Sequence, residues 1–107
     1  MDATKIIEEL GDDYDFGWRY QETKPAIGDV LPCSNVWHGD DPTDEELPGT
    51  CAWDTRSQCE DYAKHSSGYM VLLGGVNVQS GDLAGEIILE DAEVFAVWDW
   101  RNEGDGR

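Results

Sequence analysis

Basic side chains are scarce in this sequence: seven Lys plus Arg stand against 24 Asp plus Glu, so the formal net charge is −17. An excess of this size keeps a protein soluble, opposes compactness through self-repulsion and attracts cationic surfaces. We therefore expect a basic protein partner, or an environment that tolerates the charge. We expect no direct binding to nucleic acid.

Long apolar runs are also missing, since none approaches the roughly 18 residues of a membrane span. The first residues, Met1 to Lys5, lack the basic region and apolar core of a signal peptide. The cysteines Cys33, Cys51 and Cys59 are odd in number, which favours reduced thiols over a disulfide framework. These absences predict a cytoplasmic protein with no membrane partner.

Catalytic signatures are missing as well: there is no nucleophile elbow, phosphate loop or dinucleotide fingerprint. We therefore predict no catalytic residue and no cofactor. A tetrahedral zinc site has candidate ligands, although none of them forms a Cys-x2-Cys pair. Buried cysteines that act as small apolar residues are the favoured interpretation, and a metal-stabilised structural module is the alternative. The candidate ligands are Cys33, His38, Cys51, Cys59 and His65.

Aromatic residues, in contrast, are plentiful, with five Trp, four Tyr and two Phe. Each can bury about 150–250 Å², so together they supply much of a core despite the charge. A length of 107 residues is typical of one domain. We predict a single acidic α+β domain over residues 1–107, with a flexible tail over 102–107.

The periodicity of apolar residues predicts an antiparallel sheet of about five strands with two or three short helices. One helix is expected to end at Gly11, and a second to start at Asp54 or Thr55 and run to about His65. In the second helix, the side chains of Cys59, Tyr62 and Ala63 are expected to face inward. Strands are predicted over residues 16–21, 28–32, 69–73 with a continuation at 76–78, 86–89 and 92–100.

The last of these strands carries alternating tryptophans. Val94, Ala96, Trp98 and Trp100 are predicted to share one face. We assign Trp98 to the core. For Trp100 two interpretations stay open, a core position or an exposed anchor in a protein interface.

Acidic residues concentrate in two segments that we predict to form binding surfaces. The first is a long connection over residues 38–50, in which Thr43 and Glu46 have the capping-box spacing of one helical turn. The second lies along the last two predicted strands and includes the turn expected between them at Glu90 and Asp91. The predicted binding residues are Asp40, Asp41, Asp44, Glu45 and Glu46 in the first segment, and Asp82, Glu86, Glu90, Asp91 and Glu93 in the second.

Acidic strands can approximate the charge pattern of a nucleic acid. Carboxylates two residues apart on a strand stand about 6.6–6.8 Å apart, and phosphates follow one another about every 3.4 Å along a DNA strand. A cationic DNA-binding groove would accept both for the same electrostatic reason. A solvated acidic face that maintains solubility and adaptation to a salty cytoplasm are the alternatives.

In size, acidity, aromatic α+β composition and lack of catalytic signatures, the chain resembles small phage-encoded inhibitors of host defence, the anti-CRISPR and anti-restriction DNA mimics. The resemblance implies a non-enzymatic inhibitor in the host cytoplasm that binds a basic nucleic-acid-binding surface of a CRISPR-Cas or restriction protein. Residues 47–51 and 85–88 are also similar to short phage and actinobacterial proteins. A second resemblance, to small ADP-ribosyltransferase-like enzymes that modify host proteins, involves Arg19 and Glu86 but lacks the rest of that family's pattern.

Overall fold

The computed structural model describes residues 3–38, 41–81 and 83–99, and the statements below refer to these residues. The predicted α+β class with an antiparallel sheet is confirmed, with two helices and with six strands instead of about five. In chain order the elements are α1 (Ala3–Leu10), β1 (Asp15–Gln21), β2 (Asn35–His38), β3 (Asp41–Glu46), β4 (Thr50–Trp53), α2 (Arg56–Ala63), β5 (Tyr69–Ser80) and β6 (Glu86–Asp99).

Four of the strands close a small antiparallel barrel in the order β1-β4-β6-β5, and β2 and β3 form a separate two-stranded sheet. The barrel interior is apolar: a Cβ at Gly17 of β1 would lie 2.9 Å from the Cβ of Ala52 in β4 and 3.1 Å from Cδ1 of Ile87 in β6. The inner cluster consists of Ala52, Val71, Leu73, Leu89, Ala92, Val94 and Val97.

The two helices cover a second apolar cluster on the outer side of the sheet. Its buried members are Ala3 of α1, Cys59 and Ala63 of α2, and Trp18, Met70, Leu72, Ala96 and Trp98 of the strands. Helix α2 begins at the predicted cap, because the side chain of Thr55 accepts a hydrogen bond from the Gln58 amide at 3.3 Å. Among the described residues, neither helix is long and apolar enough to span a bilayer.

One inward-facing prediction for α2 is wrong. Cys59 and Ala63 are fully buried, whereas Tyr62 is 66% exposed. The Tyr62 ring lies at the rim of the helix–sheet contact, with its centroid 5.8 Å from that of Trp53 and 6.5 Å from that of Tyr20.

Strand β6 is continuous where a turn was predicted at Glu90 and Asp91. Asp91 adopts a positive φ of 51°, and the register with β5 shifts between Gly74 and Val76. The chain therefore bends at an irregularity without reversing direction. Asp91 can form this bend because Asp tolerates the left-handed region that the bend requires.

A second irregularity changes which side chains of β6 share a face. Leu72 pairs with Ala96 and Leu73 pairs with Val94, so Phe95 is an extra residue in β6. Val94 consequently belongs to the inner cluster, while Ala96 and Trp98 pack under the helices. The prediction of one shared face is wrong for Val94, correct for Ala96 and Trp98, and lies outside the described residues for Trp100.

The acidic connection is a β-hairpin, so the predicted helical turn at Thr43 and Glu46 is wrong. Asn35 pairs with Glu46 and His38 with Asp41. The Thr43 hydroxyl donates to the Val36 carbonyl at 2.7 Å across the hairpin. In a helix cap, the same hydroxyl would instead form a hydrogen bond within the first turn of the helix. The predicted strand over 28–32 is reduced to one bridge between Val30 and Glu93.

Candidate functional site

The carboxylates of β3 are exposed, and they divide between the two faces of the strand. Alternation places Asp44 and Glu46 on one face, and Asp41 and Glu45 on the other. Asp44 and Glu46 are then about 6.6–6.8 Å apart, and Asp41 and Glu45 about 13 Å apart. Asp40 lies outside the described residues.

The second predicted surface does not stay together. Glu86 pairs with Trp53 at the start of β6, whereas Glu90 pairs with Val76 and Glu93 with Gly74. The stretch from Glu86 to Glu93 spans roughly 20 Å of extended strand. The structure therefore keeps Glu90, Asp91 and Glu93 together and separates Glu86 from them, while Asp82 lies outside the described residues.

Two further carboxylates lie on segments that flank this part of β6, one across β5 and one beside β6 itself. Asp15 of β1 pairs with Gly75, which neighbours the Glu93 partner Gly74 on β5. The segment before β2 brings Asp29 to the other side of β6, where the Val94 amide donates to the Asp29 carbonyl at 2.8 Å. We call this set the bulge cluster: Asp15, Asp29, Glu90, Asp91 and Glu93.

The bulge cluster forms no ion pair with any described residue. The ion pairs among the described residues include Arg56 with Glu60 at 3.5 Å and Lys64 with Asp61 at 3.4 Å, both in α2 or at its C-terminal end. Glu90 accepts a hydrogen bond from the side-chain amide of Asn77, which leaves its charge uncompensated. A cationic partner would therefore find these carboxylates available. Sequence reasoning missed Asp15 and Asp29 because only tertiary pairing places Asp15 beside β5 and Asp29 beside β6.

A cleft of 810 Å³ opens beside the end of β1, between the barrel and the β2–β3 hairpin. Arg19 lies in its wall together with Tyr20, Tyr62 and Pro42. The guanidinium donates from Nη1 to the Cys51 carbonyl at 2.8 Å and from Nε to the Gln21 side chain at 3.1 Å. These bonds fix the orientation of the guanidinium.

Burial lowers the pKa of the Arg19 guanidinium from its ordinary value, and the nearby Cys51, Tyr62 and Cys59 partly oppose this shift. No carboxylate of the described residues forms an ion pair with Arg19. A half-buried cation without a carboxylate partner is uncommon, because desolvation of a charge is costly unless it is compensated. It is more unusual in a chain with 24 acidic residues.

A smaller cleft of 250 Å³ also has Arg19 in its wall, with Trp53, Tyr62 and Glu86. Arg19 and Glu86, which the sequence linked to each other only through a resemblance, thus border one cavity. The aromatic wall that accompanies them was not predicted. The only sequence signal for this aromatic wall was the prediction that the Tyr62 side chain faces inward, and that prediction is wrong.

The cysteines are dispersed. Cys33 is exposed, Cys51 is half-buried and Cys59 is buried. Within residues 3–38, 41–81 and 83–99, no three His, Cys, Asp or Glu side chains are grouped so that they could hold a metal ion. Candidate zinc ligands are therefore not brought together in the part of the chain described.

The three thiols are expected to react at different rates. Burial raises the pKa of Cys59 to about 12, with a contribution from Glu60, so this thiol stays protonated and sealed in the fold. At pH 8, an aromatic disulfide reagent should modify Cys33 first and Cys59 only after urea is added. Cys33→Ser should remove the fast phase. Modification of Cys59 at the rate of Cys33 in the folded protein would contradict the burial.

No protein-family model, curated protein or solved structure matches this chain. Its function is therefore inferred from the charges and cavities of the chain.

Proposed function

We propose that this protein is a non-enzymatic inhibitor that occupies the basic nucleic-acid-binding surface of a host defence protein of the CRISPR-Cas or restriction type. The observation that carries the proposal is the bulge cluster, in which three separate segments contribute carboxylates without ion-pair partners among the described residues. The exposed carboxylates of β3 provide a second surface. The protein would act in the cytoplasm of the host cell.

Electrostatics gives such a surface two properties. Complementary charge accelerates encounter, with association rate constants up to about 10⁸–10⁹ M⁻¹s⁻¹ at low salt against 10⁵–10⁶ M⁻¹s⁻¹ for neutral partners. Each exposed ion pair contributes only about 0.2–1 kcal/mol. Affinity must therefore come from many carboxylates that act together, and it should fall as salt screens them.

Neutralisation of the bulge cluster should weaken inhibition more than neutralisation of scattered carboxylates. The variant D15N/D29N/E90Q/D91N/E93Q loses five charges, which corresponds to an affinity loss of about fivefold to several thousandfold. The control E8Q/E9Q/E22Q/D54N/D61N changes the net charge equally, and its residues are exposed. The measurement is DNA cleavage by a panel of purified CRISPR-Cas and restriction nucleases at increasing DNA concentration.

Added DNA should relieve inhibition by the unmodified protein. The variant D41N/D44N/E45Q/E46Q should show, by the same cleavage measurement, whether the carboxylates of β3 contribute to inhibition. An equal loss in the scattered control would mean that only net charge matters. If the protein inhibits no nuclease of the panel, DNA mimicry is rejected. It is also rejected if added DNA does not relieve the inhibition.

The shared cleft of Arg19 and Glu86 favours one alternative, a small ADP-ribosyltransferase-like enzyme that modifies a host protein. Incubation of an inhibited nuclease with NAD, followed by mass measurement, separates the two functions. A mass increase on the nuclease that is lost in Glu86→Gln supports transfer chemistry. Stoichiometric inhibition at unchanged mass supports occlusion.

A further inference from the structure

The cleft beside Arg19 has the dimensions of a small-molecule site. Its 810 Å³ fall within the roughly 300–1,000 Å³ typical of such sites. The end of β1, the segment that precedes β2, and Pro42 of β3 line this cleft, which is open to solvent, and Tyr62 of α2 completes its wall. None of the bulge-cluster residues lines the cleft.

Hydrogen bonds fix the walls of this cleft. The Thr50 hydroxyl donates to the Pro32 carbonyl at 2.9 Å, and the Cys51 amide donates to the Ser34 hydroxyl at 3.0 Å. The Asn35 side chain donates to the Thr43 carbonyl at 2.8 Å, which ties the wall to β3. A preformed cavity of this kind avoids much of the ordering cost of binding.

Arg19 is the group with unused hydrogen-bonding capacity. A guanidinium has five N–H donors; two of them are used for Gln21 and Cys51, and no other hydrogen bond or ion pair joins Arg19 to a described residue. Three donors remain, one on Nη1 and two on Nη2. Donors on both terminal nitrogens match the two oxygens of a carboxylate.

The surrounding charge restricts which anion can bind. A chain with a net charge of −17 repels polyanions such as nucleic acids and polyphosphates, and Glu22 also lines the cleft. A single negative charge minimises this repulsion while it still compensates the guanidinium. The rings of Tyr20 and Tyr62 offer flat apolar surface for the rest of the ligand.

We propose that this cleft is a binding site for a small aromatic carboxylate, whose carboxyl group pairs with Arg19 and whose ring lies against Tyr20 and Tyr62. The site is independent of the proposed inhibition, because the acidic surfaces contribute none of the groups that hold the ligand. Loss of the Arg19 pairing should abolish binding, and loss of the Tyr62 ring should weaken it.

Benzoate is a suitable probe, with benzamide as its neutral counterpart of nearly the same shape. In nuclear magnetic resonance titrations of the full chain, benzoate should shift the Arg19 Nε–H signal and the Cys51 amide. A dissociation constant of about 1 mM or tighter is expected, and benzamide should bind at least tenfold more weakly. Equal affinity for the two probes would remove the carboxylate–guanidinium pair from the proposal.

Variants assign the interaction to Arg19. Arg19→Gln should weaken benzoate binding at least about tenfold, since the ion pair and both terminal donors are lost. Lys24→Gln changes the net charge equally at an exposed position outside the cleft, and should leave binding unchanged. An equal loss in Lys24→Gln would show that only the overall field matters, and would overturn the site.

Tyr62→Ala keeps the proposal testable if Arg19→Gln fails to fold, because Tyr62 is exposed and its removal leaves the Arg19 hydrogen bonds in place. This variant should bind benzoate several-fold more weakly. Benzoate shifts confined to residues outside the cleft, or no saturable shift up to about 20 mM, would also overturn the proposal. None of these measurements involves a nuclease, so failure here leaves the inhibition proposal untouched.

Discussion

Replacement of Trp98 by Ala is expected to lower the free energy of unfolding by about 3–5 kcal/mol, as for other large aromatic residues removed from cores. Trp98 is 2% exposed and is the largest of the fully buried side chains. Its indole N–H makes no hydrogen bond to a described residue. The expected loss therefore comes from packing and from the ring itself.

The neighbours of Trp98 increase the cost of its removal. The Trp18 ring packs against it edge to face, with centroids 6.1 Å apart. The guanidinium carbon of Arg56 lies 5.3 Å from the Trp98 ring centroid and 5.6 Å from that of Trp18. A desolvated cation–π contact contributes about 2 kcal/mol, so Ala at position 98 leaves Arg56 beside a cavity.

Urea unfolding followed by circular dichroism measures this effect without relying on tryptophan fluorescence. Tyr62→Ala is the matched control, because it removes an exposed ring at the rim of the same helix–sheet contact and should cost only about 1 kcal/mol. Similar unfolding midpoints for the two variants would contradict the assignment of Trp98 to the core.

Gly49→Ala should destabilise the barrel by roughly 3 kcal/mol, at the upper end of overpacking effects. A Cβ at Gly49 would collide with the Leu89 carbonyl group and would lie 2.9 Å from the Glu90 amide nitrogen. These are backbone atoms of β6, held by the pairing of Thr50 with Leu89. They cannot move aside without separating β4 from β6.

Gly28→Ala provides the contrast. Gly28 has a φ of +95° with no atom within 4 Å of an added Cβ, so its substitution tests backbone strain alone and should cost about 1–2 kcal/mol. Thermal unfolding of the two variants compares the stability lost through an atomic collision at position 49 with that lost through backbone strain at position 28. A smaller loss for Gly49→Ala than for Gly28→Ala would show that β4 and β6 can separate slightly at this point.

Local signals predicted much of this fold correctly. Thr55 marks the start of α2, because a threonine hydroxyl caps helices through a hydrogen bond within a few residues. The alternation of Phe16, Trp18 and Tyr20 with non-aromatic residues identified β1, because a period of two is a local property of the sequence. Such features require no knowledge of distant partners.

Other features depend on pairing between distant segments, and the sequence could not reveal them. Apart from Thr43, strand β3 consists of residues with low strand propensity, and it forms because β2 lies opposite. The bend at Asp91 looks like a turn until β5 is seen beside it. The same holds for the candidate sites: Asp15 and Asp29 join the bulge cluster, and Tyr20 meets Tyr62 at the cleft, only through tertiary contacts.

The closure of β1 onto β5 also has a consequence for synthesis. β1 pairs along its whole length with Tyr69–Gly75, so it must wait for most of the chain before it finds this neighbour. Such non-local pairing slows folding, to milliseconds or longer in comparable topologies. On the ribosome the first strand would emerge unpaired, and its carboxylate-rich flank at Asp12, Asp13 and Asp15 would then discourage nascent chains from associating with one another.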